Sequence, residues 1–240
     1  MPTINVATPG TSADMLMNSV WIVVPAFNEE RTIEKVVVGL RRLYPNVIVV
    51  DDCSTDATAV LARTAGAHLV SHPINLGQGA ALQTGITFAL RQGASHLVTF
   101  DADLQHRPDD IPALLDALTK SGADFALGSR FLGSATDIDL SRKLLLKAAI
   151  LFTRFTTGLK ITDTHNGLRA MTRRGASRLQ IRQNRMAHAS EILQQIAKSK
   201  LPYVEVPVTV RYTSYSKAKG QRLSNSLIIM LELVTGALQR

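Results

Sequence analysis

From Val20 to Arg130 the chain alternates short apolar runs with stretches of helical spacing. The runs "VWIVVP", "NVIVVDD", "AHLVS", "HLVTFD" and "DFALGSR" are rich in Val, Ile and Leu. They read as strands of a sheet buried on both faces. Between them, "ERTIEKVVVGLRRLY", "TDATAVLARTAG", "GQGAALQTGITFALRQG" and "PDDIPALLDALTKSG" return apolar residues every three or four positions. That is the period of a helix packed along one side. The alternation predicts an α/β domain with a mostly parallel sheet and helices on both faces. Ligands in such sheets bind at the carboxyl ends of the strands. Pro25, Asp51, Asp52, Asp101, Asp103 and Arg130 fall there.

After Arg130 the rhythm changes. "LSRKLLLKAAILFTRFTTGLK" predicts a basic amphipathic helix over residues 141–160, with Lys143, Lys147 and Arg154 on one face and Leu145, Ala149 and Phe152 opposite. "TDTHNGLRAM", a short helical stretch and the helix "ASEILQQIAKS" follow. "YVEVPVTVRYTSYS" is strand-like, and "LSNSLIIMLELVTGAL" predicts a last amphipathic helix. The resulting division is a loose tail over residues 1–18, one domain over 19–222 and a C-terminal helix over 223–240. Lys147 and Glu232 interrupt the two most apolar stretches, so neither reads as a membrane span. The first residues lack the basic and apolar regions of a signal peptide.

Composition narrows the partners. A net charge of +8 and a pI near 9.9 imply a positive surface, which suits nucleic acid, anionic membrane or phosphorylated substrates. The sole cysteine, Cys53, rules out an internal disulfide and fits a reducing, cytoplasmic setting. No aromatic stripe offers a stacking platform for single-stranded nucleic acid, which is therefore not expected as a partner.

The chemistry concentrates at strand ends. In "FDADLQH", an extended chain would put Asp101 and Asp103 on one side, where two carboxylates repel unless a cation or a shared proton lies between them. With Gln105 adding an oxygen, they form a candidate site for Mg²⁺ or Mn²⁺. The competing reading, acids opening a helix, is already served by Asp109 and Asp110. In "VVDDCSTDAT" an acid could bond a ribose or base edge, while Ser54, Thr55 or Asp56 caps the next helix. "PAFNEE" is a loop of similar kind. In "NLGQGAAL", Gly77 and Gly79 open a helix near a ligand or simply permit a tight turn. Arg130, Arg142, Arg169 and "YTSYSKAKGQR" supply cations that either hold phosphates or line a solvated face.

The ordered set "PAFNEE", "VVDDCSTDAT", "NLGQGAAL", "FDADLQH", "GSR", "DTHNGLRAM" and "VPVTVRYTSYSKAKGQ" resembles the family 2 glycosyltransferases. Within them it is most similar to the polyprenyl- and dolichyl-phosphate sugar transferases. The resemblance implies the GT-A fold, a Rossmann-like α/β architecture, and a UDP- or GDP-sugar donor. It places donor binding on Pro25, Ala26, Asn28, Glu29, Asp52, Gln78, Asp101, Ala102 and Lys217. It places the metal on Asp101, Asp103 and Gln105, and catalysis on Asp103, Arg130, Asp163 and Arg169. It sets Gly167 on the acceptor side, and Ser216 in a mobile segment beside Lys217.

A metal-assisted displacement at sugar C1 follows, with inversion implied by the family. A hydroxyl acceptor would need a general base. The two candidates are Asp163 and Glu191, neither unmistakable. A polyprenyl phosphate acceptor would need none. The basic helix and the last helix could rest on the cytoplasmic face of a membrane, bind a small membrane anchor protein, pack on the sheet or form a homodimer contact. The rival functions are transfer to a sugar or protein hydroxyl, synthesis of the nucleotide sugar, and nucleotide binding without catalysis.

Overall fold

The computed structural model describes residues 17–136, 140–184 and 187–212. Chain order is β1 (Val20–Ala26), α1 (Ile33–Arg41), β2 (Asn46–Asp51), α2 (Thr58–Thr64), β3 (His68–Ser71), α3 (Gln78–Arg91), β4 (His96–Thr99), α4 (Ile111–Ser121), β5 (Phe125–Thr136), α5 (Leu140–Thr157), β6 (Arg169–Thr172), α6 (Arg173–Ala176), α7 (His188–Ser199) and β7 (Tyr203–Arg211). The strands form a sheet of order β3-β2-β1-β4-β6-β5-β7. Only β6 runs antiparallel to its neighbours.

The apolar strands are continuous because both faces are covered. Val20, Ile22 and Val24 face a core built with Ile33, Val36, Val37 and Leu40 of α1 and Ile111, Leu114 and Leu118 of α4. Trp21 and Val23 point the other way, into a core with Ala81, Leu82 and Ile86 of α3 and Ile192, Leu193 and Ile196 of α7. Period-2 strands therefore meet period-3.6 helices on both sides, as the sequence pattern predicts.

One strand was not legible as an element. The segment "RAMT" forms β6, a four-residue strand inside a stretch that carries no strand signal of its own. It pairs Arg169 with Thr99 at the carboxyl end of β4 and with Leu127 of β5. Running against its neighbours, β6 begins at the edge where they end, so residues 163–169 enter the site from above. The basic helix spans Leu140–Thr157, close to its expected range. The expected C-terminal helix, together with Ser216 and Lys217, lies outside the described residues. Among the described residues no helix is long and apolar enough to cross a membrane.

Candidate active site

The first wall is made by the loops after β1 and β2, which fasten to each other. The Asn28 amide donates to Ser54 Oγ at 2.9 Å, and Thr55 N–H donates to Asn28 Oδ1 at 2.9 Å. The Glu29 amide donates to Thr58 Oγ1 at 2.7 Å. Asn28 has φ +52, which asparagine tolerates better than most residues. Pro25 lies beyond the last β1–β4 pair, Val23 with Thr99, so its missing N–H interrupts no bond to β4. Ala26 closes the β2 ladder opposite Asp51.

Asp52 is almost fully buried, and its carboxylate shapes the next loop. Leu76 N–H donates to Oδ1 at 2.9 Å and Gly77 N–H to Oδ2 at 2.6 Å. His72 Nδ1 lies 2.8 Å from Oδ1. The turn thus pinned opens α3, and its first residue, Gln78, donates from Nε2 to Asp101 Oδ1 at 3.2 Å. A chain of contacts therefore runs from the β2 acid through the glycine turn to the β4 acid. The loop before α7 covers this helix end closely. A Cβ on Gly79 would lie 1.9 Å from the Gln183 carbonyl oxygen.

β4 stops at Thr99, so Asp101 and Asp103 sit in a turn rather than on an extended strand. Strand alternation does not set their relation. The turn is tightened by the Gln105 amide, which donates to Asp103 Oδ1 at 3.0 Å, and by Leu104 at φ +62. Ala102 between them is buried in the core. Asp101 Oδ2 lies 3.3 Å from His106 Nε2, and His106 packs edge-on against Phe100. Burial pushes the Asp101 carboxyl up, but His106, Arg169 and His188 together hold it below its usual value. Asp103 goes the other way. Burial and the charges of Asp101 and Glu29 push it up to about 6.

The opposite wall centres on a buried ion pair. Arg130, at the carboxyl end of the regular part of β5, donates from Nε to Asp163 Oδ2 at 2.6 Å and from its amide to the same oxygen at 3.0 Å. Its other nitrogens donate to the Tyr212 hydroxyl and, at 2.8 Å, to the His165 carbonyl. Arg130 is therefore a hub that clamps residues 163–165. The Thr162 and Asp163 amides are in turn held by the Glu205 carboxylate, at 2.7 and 3.3 Å. Arg169 is buried between Asp101 and Asp163, and burial lowers its pKa against their pull.

The donor set fits a hard divalent cation. Two carboxylates from one turn are oxygen ligands, and a cation between them would offset both the burial and the Asp101 charge that raise Asp103. Among the described residues no three His, Cys, Asp or Glu side chains are arranged to hold an ion alone. That suits Mg²⁺, which takes one or two carboxylates and fills its other positions with substrate phosphates and water. Gln105 contributes its backbone to the turn. Its carbonyl accepts from Arg211, joining the acidic turn to β7.

The structure thus brings Asp101, Ala102, Asp103, Gln105, Gln78, Asp52, Arg169, Asp163 and Arg130 to one sheet edge, beside the loop carrying Pro25, Ala26, Asn28 and Glu29. Both candidate bases have other partners. Asp163 pairs with Arg130, and Glu191 accepts from the Arg182 and Gln183 amides at 3.0 and 2.8 Å. His106, His188 and Glu205 carry roles here that the sequence reading did not assign. Only His106 had a signal, its place beside the acidic motif.

Residues 21–179 match the family model described as glycosyl transferase family 2. The chain is 31% identical to the UDP-N-acetylglucosamine–dolichyl-phosphate N-acetylglucosaminyltransferase of Methanococcus voltae, covering 90% of this chain and 94% of that protein. It is 30% identical to the polyprenol monophosphomannose synthase of Mycolicibacterium smegmatis, covering 91% and 88%. Among solved structures, glucosyl-3-phosphoglycerate synthase from Mycobacterium tuberculosis, in complex with Mn²⁺, uridine diphosphate and phosphoglyceric acid, superposes with a TM-score of 0.70. That pair is 20% identical and covers 96% of this chain and 84% of that one, a likeness of fold.

Proposed function

The chain belongs to glycosyl transferase family 2 and is a glycosyltransferase, and from that premise we propose that it moves a hexose from a UDP- or GDP-sugar to polyprenyl phosphate. The relatives named above, which act on dolichyl and polyprenyl carriers, support the acceptor class. The fold neighbours crystallised with uridine diphosphate and Mn²⁺ or Mg²⁺ support the donor class and the metal.

The observation that carries the acceptor assignment is the state of the two candidate bases. Asp163 is locked in a buried pair with Arg130, and Glu191 caps backbone amides. The carboxylate oxygens of both already accept hydrogen bonds from the protein. A phosphate oxygen is anionic at neutral pH and attacks without a base.

Each wall then has a task. Pro25, Ala26, Asn28, Glu29 and Asp52 shape the nucleoside pocket, and Gln78 and Ala102 border the diphosphate. Asp101 and Asp103 would hold Mg²⁺ or Mn²⁺, which supplies charge neutralisation for the departing nucleoside diphosphate. Arg169 balances Asp101 and Asp163 across the site. Arg130, through Asp163 and the His165 carbonyl, fixes the acceptor-side loop. The acceptor oxygen forms a bond to sugar C1 as the bond from C1 to the donor diphosphate breaks, with inversion at C1. A lipid acceptor brings the enzyme to a membrane surface.

The test is nucleoside diphosphate release from UDP- and GDP-sugars with Mn²⁺ or Mg²⁺ and polyprenyl phosphate in detergent. Release is expected only with the lipid phosphate, and is expected to vanish in Asp103→Ala. Release with a sugar hydroxyl and not with the lipid phosphate would overturn the reading.

A further inference from the structure

Helix α5 is apolar on two sides. Inward, Leu146, Ile150 and Thr153 are buried, and the helix packs against α7. Outward, Leu144, Ala148, Leu151 and Phe155 are exposed. Leu144 is 60%, Leu151 65% and Phe155 90% accessible. At about 100° per residue these four fall within one narrow stripe, directly opposite the buried one. This differs from the sequence expectation, in which the apolar face opposed the cations and no second apolar stripe was foreseen. A surface helix of a globular domain keeps its outer face polar, and a phenylalanine left nine-tenths in water needs a partner.

Charge indicates which partner. Lys143, Lys147 and Arg154 are exposed and flank the stripe along one side, and Lys160 is exposed just beyond the helix. Residues 140–157 contain no Asp or Glu. A cationic rim beside protruding Leu and Phe matches an anionic bilayer surface, where apolar side chains enter the acyl boundary and basic ones meet headgroup phosphates. The helix also sits between the two halves of the acceptor wall. It leaves β5 after Arg130 and returns to Thr162 and Asp163, and Arg154 Nε donates to the Ile161 carbonyl at 2.6 Å.

We propose that the outer face of α5, through Leu144, Leu151 and Phe155 with Lys143, Lys147 and Arg154, docks the enzyme on an anionic phospholipid bilayer. The choice of a bilayer over another protein rests on the lipid-acceptor reading above. Docking there holds the Arg130–Asp163 wall at the surface from which a lipid phosphate is presented.

The experiment is co-sedimentation of the full chain with vesicles of phosphatidylcholine alone or of equimolar phosphatidylcholine and phosphatidylglycerol. Wild type is expected to pellet with the anionic vesicles, and added salt to release part of it. Leu151→Ser with Phe155→Ser, and separately Lys143→Glu with Lys147→Glu, are each expected to weaken binding about tenfold or more. These side chains are solvent-facing, so both variants are expected to keep the wild-type melting temperature. Wild type remaining in the supernatant, or both variants pelleting as wild type does, overturns the proposal. So does a lipid-free dimer, seen by analytical ultracentrifugation, that Leu151→Ser with Phe155→Ser dissolves, since the stripe would then cover a second copy. Turnover of a short, water-soluble prenyl phosphate separates the two readings. Variants that keep that turnover but lose vesicles support docking. Wild type that binds vesicles yet turns over no prenyl phosphate leaves docking standing and overturns the acceptor assignment.

Discussion

Gly167 and Asp101 are in contact across the site, so close that a Cβ on Gly167 would lie 2.0 Å from Asp101 Oδ2. The glycine precedes β6, and its carbonyl accepts from Thr99 Oγ1 at 2.6 Å, at the end of β4. The antiparallel strand is therefore seated against the acidic turn by the absence of a side chain.

Gly167→Ala is expected to push the Asp101 carboxylate away from Gln78 and His106. Displacements near 1 Å at a reacting centre cost about a hundredfold. A loss of that order in kcat/KM, with a raised requirement for Mn²⁺ or Mg²⁺, is the expected outcome of steady-state kinetics across a metal titration. Unchanged metal dependence would show that the turn yields elsewhere.

The acidic turn should also betray itself without turnover. With UDP or GDP present, Mn²⁺ is expected to raise the melting temperature of wild type, and excess EDTA to reverse the rise. Binding at a hundred times Kd stabilises by about 2.7 kcal/mol, a readily measured shift. Asp103→Asn is expected to lose the metal-dependent part. A full shift in that variant would place the ion elsewhere.

The Arg130–Asp163 pair is expected to matter to folding as much as to chemistry. Both side chains are almost fully buried, and removing one partner of such a pair typically costs about 3–5 kcal/mol because the other is left charged and unmatched. Arg130→Met and Asp163→Asn should each show that loss in urea unfolding. The double variant should recover part of it, because no unpaired charge remains. Additive losses would mean that Tyr212 and the His165 carbonyl, not Asp163, hold the guanidinium.

Where the sequence was read correctly, one local physical signal sufficed. The strands before Asp51 and Asp101 announce themselves by runs buried on both faces, and α1, α3 and α4 by their period. The acidic turn was visible as like charges that need a counter-ion. The role of Arg130 was not visible, because its partners Asp163, the His165 carbonyl and Tyr212 are 33, 35 and 82 positions away. No local pattern distinguishes a buried arginine from a solvated one. β6 was missed for a related reason. Four residues carry too little pattern, and its pairing is decided by β4 and β5. The outward stripe of α5 was hidden because a helix apolar on two sides has no single amphipathic direction.

Acid should weaken the fold through histidine. Burial, helped by the nearby Arg130, Arg169 and His188 charges and opposed by Asp163, lowers His165 to about 4. An unfolded histidine binds its proton near 6.5. Between those values the unfolded chain takes up a proton that the folded one refuses, so stability is full above about 6.5 and falls as pH drops toward 4. The loss is on the order of 1–3 kcal/mol. His96, also lowered by burial, adds to the same slope. Asp124, held low by its hydrogen bonds from Arg174, extends the fall to more acidic pH. His165→Gln is expected to flatten the upper part of a melting-temperature profile without abolishing it. An unaltered profile would assign the slope to His96.

Glu205 offers the cleanest separation of positioning from chemistry. Its carboxylate lies on β7 and holds the loop of Asp163 through the Thr162 amide at 2.7 Å, the Thr162 hydroxyl at 3.0 Å and the Asp163 amide at 3.3 Å. Glu205→Ala leaves those donors without their acceptor, a loss of about 1–3 kcal/mol. Glu205→Gln keeps one oxygen to receive them. If the loop sets the acceptor wall, Glu205→Ala should raise KM for the lipid phosphate and lower kcat several-fold while leaving KM for the nucleotide sugar unchanged. Glu205→Gln should restore most of both. A rise in donor KM alone would instead tie β7 to the nucleotide side, through the Arg211 amide that meets the Gln105 carbonyl.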